Sequence, residues 1–391
     1  MPIDKFPPHL NSGNLIKDFF LSRYKLTYSL LKDFYKHKTV FESIDERDFL
    51  VHTPFHKFNH ILTFLSEASI DPDVKRICIT IYRLSKLSSV ANTLINAAKN
   101  GKEVVVQIEL QARFDETNNI DYAKLMQDQG VKLIFGIPTS KVHAKVCVVE
   151  KLINNKILKY GFISTGNFNE STAKIYTDFT IFTSNQSLLD EISNVFEFFS
   201  FNYKKFKYEK LIISPYNTKK FFKSLIKNEI KNAKRGKDAY IKIKLNNITN
   251  YEMVEELYKA AEEGVKIYLI VRGICCLIPN QKNTHNNIEL ISIVDKFLEH
   301  TRMFIFCNNG KNKTYISSAD WMTRNLDNRV EVTIPIEDEK ISNQLNDIFS
   351  IYWNDNQKSR YVNSENNNEY RKNDLGIIRS QSQVYNYHHN E

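Results

Sequence analysis

One αβ unit occurs twice along this chain, and that repetition bounds the architecture before any single motif is weighed. In the first copy the apolar-periodic stretch SSVANTLINAAKNG ends at Gly101 and leads into VVVQIEL; in the second, YEMVEELYKAAEEG ends at Gly264 and leads into KIYLIVRG. Both close on Ala-Ala-x-x-Gly, at Ala97-Ala98 and Ala260-Ala261, which predicts a helix stopped by a left-handed glycine just before a buried strand. The offset there is 163 residues (264 − 101), and it carries back to the runs RICITIYR and AYIKIKLN. Downstream, KVHAKVCVVE with YGFISTGN answers LEHTRMFIFC with KTYISSAD, setting His143 opposite His300, 157 positions on, and Asn167 opposite Asp320, 153 positions on. Small loop differences absorb the drift. Runs of β-branched and aromatic residues, several apolar throughout, predict about six strands per copy, covered on both faces.

The expected fold class is therefore α/β, as two tandem domains related by internal duplication, over 46–205 and 206–358. A short helical segment, 1–45, precedes them as a separate lead-in, and a polar tail, 359–391, is expected to fray. Duplicated sites face each other across a pseudo-twofold axis, so one shared cleft is expected.

Charge narrows the partner. The 54 Lys and Arg against 45 Asp and Glu leave a net charge of +9, which points to an anion: nucleic acid, a phosphorylated metabolite or a membrane surface. Lys and Asn are abundant throughout, so the placement of Arg and His weighs more than the total. No window approaches the roughly 18 unbroken apolar residues of a membrane helix. MPIDKFPPHLNSGN has neither the basic start nor the apolar middle of a signal peptide, so a cytoplasmic protein is expected, with peripheral membrane contact left open. Cys78, Cys147, Cys275, Cys276 and Cys307 are odd in number and lack CxxC spacing, and are expected to be buried thiols.

His143 and Lys145 in KVHAK sit two apart, a spacing that puts both side chains on one face of a strand, where imidazole and ammonium converge on one anion. A lone His-x-Lys says little, but the second copy repeats it as His300 and Arg302, each followed by a small-residue turn, STGN or SSAD. Two imidazoles flanked by cations suit phosphoryl handling: one ring attacks phosphorus, the cations neutralise non-bridging oxygens, and the other ring donates a proton or hydrogen bond. Arg83, Arg113 and Arg272 follow strand-like runs, where guanidinium groups can meet phosphate in bidentate fashion. Asp115, Glu116 and Asp178 are candidates for holding Mg²⁺ or orienting His and Arg, and Tyr176 for a phosphate oxygen. His52, His56 and His60 have helical metal spacing, but Pro54 interrupts them and zinc is not expected; His388 and His389 are expected to be solvated. Neither a P-loop, a GxGxxG turn nor a protein-kinase signature is present.

The segments ITIYR, ELQARFDETNNI, KVHAK, STGNFNESTAKIYTDF, VRGICCLIPN, SIVDKFLEHTR and SSADWMTRNLDNRVEV resemble, in order and spacing, consecutive blocks of the bacterial polyphosphate kinase family. The resemblance runs from about Phe41 to about Arg360 and covers the two C-terminal catalytic domains of that family, which are similar to the phospholipase D fold. It implies reversible transfer of the terminal phosphate of ATP to polyphosphate through a phosphohistidine. Carried over by motif, His143 matches the phosphorylated histidine, and His300 the second histidine, which contacts ATP phosphates and serves as acid. The implied catalytic set is His143, His300 and Lys145; Tyr176, Arg272, His300, Arg302 and Asp178 would meet substrate, and Arg83 and Arg113 match the Mg²⁺–phosphate site. The implied cofactor is Mg²⁺, and the implied partners are ATP or ADP, inorganic polyphosphate and a second copy of the chain, not nucleic acid. The family's front domains, which contribute adenine recognition and dimer contacts, are matched only at their exit. Two alternatives follow: a fragment that binds polyanions without turnover, and a phospholipase D-like phosphodiesterase. Against the second, Arg302 and Cys307 stand where that superfamily expects Lys and an acid, although Glu150 fills the acidic position of the first copy.

Overall fold

The computed structural model describes residues 29–109, 116–137, 140–201, 206–279, 283–365, 367–372 and 376–389, apart from the side chains of Glu116 and Asn118. The first copy carries strands β1 (Phe49–Thr53), β2 (Val74–Ile81), β3 (Glu103–Ile108), β4 (Lys132–Phe135), β5 (Lys141–Val142), β6 (Val146–Ile153), β7 (Lys156–Ser164) and β8 (Tyr176–Thr183). Its helices are α1 (Val40–Glu46), α2 (Asn59–Ile70), α3 (Ser89–Lys99), α4 (Glu116–Asp128) and α5 (Gln186–Ser200). The second carries β9 (Ile212–Ser214), β10 (Tyr240–Leu245), β11 (Lys266–Val271), β12 (Ile288–Ile293), β13 (Leu298–Glu299), β14 (Met303–Phe306), β15 (Lys313–Ser317), β16 (Arg329–Pro335) and β17 (Ser359–Tyr361). Its helices are α6 (Thr218–Lys234), α7 (Tyr251–Glu262), α8 (Thr323–Asp327), α9 (Glu339–Trp353) and α10 (Ser380–His389).

The repeated helix stop forms as the sequence predicts. After α3, Gly101 takes φ +80°, its N–H bonds Ala98 O and that of Lys102 bonds Ala97 O; after α7, Gly264 takes φ +90°, with matching bonds to Ala261 O and from Val265 to Ala260 O. This paired closure satisfies the last helical carbonyls and needs a positive φ that glycine adopts without penalty. Each helix then feeds a parallel strand: β2, β3 and β4 are parallel neighbours in one sheet, and β10, β11 and β12 in the other.

The copies are interlocked, which the strand pattern alone did not show. One sheet runs β1-β8-β7-β6-β2-β3-β4, with β13 of the second copy added along β8; the other runs β17-β12-β11-β10-β14-β15-β16-β5, ending on a strand of the first copy, with β9 along β16. The exchange is symmetric: Lys141 and Val142 pair in parallel with Arg329 and Val330, as Leu298 and Glu299 pair with Tyr176 and Thr177. A single apolar cluster joins Val146, Val148, Ile163 and Phe196 to Met303, Ile305, Val332 and Phe349, so the core between the sheets belongs to both copies. Burial of such β-branched and aromatic side chains is the main favourable term holding the halves together.

Residues 1–28 of the expected lead-in lie outside the described residues, and the described residues towards both ends differ from the sequence reading. Residues 29–46 are not a separate lead-in, because Phe34, Val40, Phe41 and Ile44 are fully buried in the core of the first copy. Among the described residues of the tail, expected to fray, β17 pairs with β12, and α10 buries Ser380, Gln381, Val384 and His388. His388, expected in solvent, is only 4% exposed, with its ring Nε2 3.1 Å from His52 Nδ1. Among the cysteines, Cys78, Cys147 and Cys307 are buried, but Cys275 is half-buried and Cys276 exposed, because both lie on the loop leaving β11. No helix among the described residues is long and apolar enough to cross a membrane.

The buried histidines carry a pH consequence. Burial pushes His52 and His56 well below the ordinary imidazole range and His60 to about 4. In the unfolded chain these rings take up protons near pH 6.5, while in the fold they stay neutral, so their stability is intact above pH 6.5 and is lost as pH falls below it. Three such rings cost about 4 kcal/mol between pH 7.5 and 5.5. Urea unfolding at the two pH values is expected to show a drop of that order; equal stability would contradict the assignment of neutral rings.

Candidate active site

The exchanged strands deliver both histidines. His143 follows β5, whose pairing partner β16 continues to Glu331; His300 follows β13, whose partner β8 continues to Asp178. Each ring therefore meets a carboxylate of the opposite copy: His143 Nδ1 lies 2.9 Å from Glu331 Oε2, and His300 Nδ1 2.8 Å from Asp178 Oδ1. A carboxylate accepts from the Nδ1–H, which leaves the lone pair on Nε2, the nitrogen at the far side of the ring. The small-residue turns buttress this arrangement. Thr165 of STGN donates to Asp178 Oδ1 at 2.7 Å, and Ser318 of SSAD donates to Glu331 Oε2 at 2.5 Å, with Asn325 Nδ2 on Oε1 at 2.6 Å. Gly166 is required by close approach, since a Cβ there would fall 2.0 Å from the Asp178 carboxylate.

Both rings are almost enclosed, their side chains 12% and 13% exposed. Burial pushes His143 down to about 3, with Lys145 reinforcing and Glu331 opposing the shift, so the ring is neutral and nucleophilic near neutral pH. His300 is lowered by burial and by Arg302, against Asp178. Burial alone would raise Asp178 and Glu331, but their histidine partners and nearby cations outweigh it and leave both carboxylates below their usual range.

The paired cations are not equivalent. His143 and Lys145 do not project from one continuous strand face: they fall in the break between β5 and β6, and the buried ammonium turns back onto His143 O. Burial lowers the Lys145 ammonium strongly, and Arg302 and Asp178 are among the charges it feels, which places both dyads around one centre. Arg302 has its own carboxylate, Asp320, at 3.2 Å, and its Nη1 donates to Thr165 O at 3.1 Å and lies 3.2 Å from His300 Nε2. The residue matching Asp320 in the first copy is the uncharged Asn167. The His143 side therefore carries one carboxylate fewer than the His300 side, which suits the ring that would hold a phosphoryl group.

Of the other expected residues, Tyr176 packs against His300 with ring centroids 5.3 Å apart, and Arg272 Nε donates to Asn246 Oδ1 at 2.7 Å and to Glu299 O, beside His300. Arg83 lies with its guanidinium carbon 5.7 Å from the Tyr82 ring. Arg113 and Asp115 lie outside the described residues, as does the Glu116 side chain. Glu150 is remote from the dyads, 4.0 Å from Arg76 and 3.9 Å from Lys159, and supplies no acid for diester chemistry.

Sequence reading missed Glu331, its supports Ser318 and Asn325, and Tyr82, which sets its ring edge-on to His143 at 5.0 Å. Glu331 was recoverable: it lies 153 positions after Asp178, the spacing that relates Asn167 to Asp320.

Among the described residues no group of three His, Cys, Asp or Glu could hold a metal ion. Asp178, Asp320 and Glu331 are each committed to a histidine or an arginine, and Arg83 is a cation that would meet phosphate rather than ligate Mg²⁺. The described residues thus do not form a protein cage for Mg²⁺.

Comparison with known proteins identifies the family. Residues 39–205 match the family described as polyphosphate kinase C-terminal domain 1, and residues 211–381 polyphosphate kinase C-terminal domain 2. The chain is 41% identical to polyphosphate kinase of Vibrio cholerae, over 98% of this chain and 54% of that protein, and 42% identical to that of Escherichia coli K12, over 89% and 51%. It thus spans about half the length of the curated relatives it matches. The crystal structure of polyphosphate kinase from Porphyromonas gingivalis superposes with a TM-score of 0.86 at 36% identity, covering 92% of this chain and 55% of that one. A phosphatidylserine synthase from Haemophilus influenzae, with a TM-score of 0.55 and 10% identity over 88% of this chain and 93% of that one, shares the fold alone. The chain belongs to the polyphosphate kinase family and contains its two C-terminal domains as two tandem α/β units.

Proposed function

We propose that this chain is an ATP–polyphosphate phosphotransferase that works through a phosphohistidine at His143. The observation that carries this reading is the neutral His143 ring, fixed through Nδ1 on Glu331 on the side of the site that has one carboxylate fewer. In the first half-reaction Nε2 of His143 attacks the terminal phosphorus of ATP; the nitrogen–phosphorus bond forms, the bond to the bridging oxygen breaks, and ADP leaves with that electron pair. In the second, the terminal oxygen of polyphosphate takes the phosphoryl group and Nε2 regains its lone pair. The Nδ1 proton stays on the Glu331 hydrogen bond throughout. In this reading Lys145, Arg302, Arg272 and Tyr176 would contact substrate phosphates, and Arg83 and, by its sequence motif, Arg113 would serve the Mg²⁺–phosphate site.

His300 holds Asp178 through Nδ1, and its Nε2 faces Arg302, so it offers a proton acceptor until it is charged. Phosphates entering the site raise its proton affinity and convert it to the acid that assists ADP departure. This reading places the enzyme in the cytoplasm, with ATP or ADP, polyphosphate and a further copy of the chain as partners.

A turnover assay tests it. Purified chain with ATP, Mg²⁺ and short polyphosphate is expected to lengthen the polymer and release one ADP per phosphate added, and to form ATP from polyphosphate and ADP. Retention of polyphosphate without turnover would leave only the polyanion-binding reading.

A further inference from the structure

The C-terminal helix α10 bridges the two copies at a place the catalytic reading does not use. At its start, Ser380 N–H and Oγ both donate to Asp355 at 2.7 and 2.6 Å, and Arg379 makes a two-pronged pair with Asp295 at 2.6 and 2.8 Å. At its far end His388 enters the first copy, its ring 3.1 Å from His52 Nδ1 and 4.3 Å, centroid to centroid, from that of His56.

Between these ends lies Gln381, 4% exposed. Its amide accepts from Phe297 N–H at 2.9 Å, donates to Phe297 O at 2.9 Å, and donates to Glu299 Oε1 at 2.7 Å. Glu299 is the residue before His300. Its other oxygen takes Lys244 Nζ at 2.9 Å and Thr177 Oγ1 at 3.1 Å, and the same Thr177 oxygen accepts the His300 N–H at 3.0 Å. An unbroken chain of buried polar contacts thus runs from α10 to the backbone of His300 and to the residue preceding Asp178.

We propose that α10 is a strap in which Gln381 is a positioning residue for His300, and that the pocket of His52, His56 and His388 is the catch that keeps the strap seated. The proposal rests on the transferase reading only for its effect on turnover. A glutamine amide with both donors and its acceptor engaged fixes the 297–299 segment in one register, and small displacements of such supports are costly at a reacting centre. The catch is built to open in acid. Nε2 of His52 and of His56 is buried without a partner, and the titratable or charged groups facing the pocket are His60, His389 and Lys244, the last already paired with Glu299. Among the described residues no carboxylate acts on His52 or His56 to offset an added proton, and the helix end must leave to solvate it.

Hydrogen exchange on the full chain reads the strap without any assay of turnover. Protection factors for residues 382–388 are expected to fall at least tenfold between pH 7.5 and 5.5 and to lie well below those of β10 and β14, which open only with the whole fold, and His388→Ala is expected to show the same loss at pH 7.5. Uniform protection of α10 and the core strands at both pH values would overturn the catch. For the positioning role, Gln381→Ala is expected to lower kcat for transfer from ATP about 10- to 100-fold with KM within threefold. Because α10 stays docked through His388, its exchange at pH 7.5 should remain that of the wild type. Unchanged kcat with intact protection would overturn that role, and absence of turnover in the wild type would defeat the transferase reading instead.

Discussion

His143→Ala is expected to lower ATP-dependent polyphosphate synthesis by at least about 10⁴-fold while leaving the fold in place. The size follows from chemistry, because Glu331 holds the ring through Nδ1 and leaves Nε2 to take the phosphoryl group, and alanine offers no atom to carry it. The ring is largely enclosed but makes its hydrogen bond at the edge of the core, so its loss leaves the apolar cluster around Val146 and Val148 untouched. Turnover measured beside a urea unfolding curve checks both halves. Residual activity within tenfold of the wild type would remove His143 from the reaction.

Glu331→Gln is expected to be nearly as damaging, at about 10³- to 10⁴-fold in kcat, the range found when a carboxylate that sets a catalytic imidazole's tautomer becomes an amide. Glu331 accepts from His143 Nδ1–H, Ser318 and Asn325. A glutamine amide that donates to Nδ1 would shift the ring proton to Nε2 and block the attacking lone pair. The same change leaves the buried Lys145 ammonium without its strongest opposing charge, so the unfolding midpoint should also fall. Asp178→Asn is the comparison: it disturbs His300, and its effect should concentrate in the step that expels ADP. A loss of less than tenfold for Glu331→Gln would mean that the crossed dyad does not set the reactive ring.

Much of this was legible in the sequence, and the reason is physical. Helix stops at Gly101 and Gly264 are local, set by the conformational freedom of one residue, and the repeat of His143 in His300 survives loop drift because both end a strand that must pair. What stayed hidden was non-local. Exchange of β5 and β13 between the sheets depends on pairings across the chain, and no pattern within either segment announces it. Glu331 sits in the apolar run RVEVTIP, where a lone acid looks like a polar point on a strand until β5 is seen beside it. The polar composition of residues 359–391 concealed that Gln381 and His388 are buried by specific partners rather than by apolar area.

The most direct test of the central claim is chemical. Wild-type protein given γ-labelled ATP and Mg²⁺ is expected to carry a phosphate that is lost in acid, survives base, maps to the peptide containing His143, and passes to added polyphosphate or ADP. Because His143 stays neutral well below pH 6.5, the labelling rate should show no inflection at the ordinary imidazole range. Stable label on a serine or threonine, or folded protein with no label at all, would contradict the phosphohistidine account.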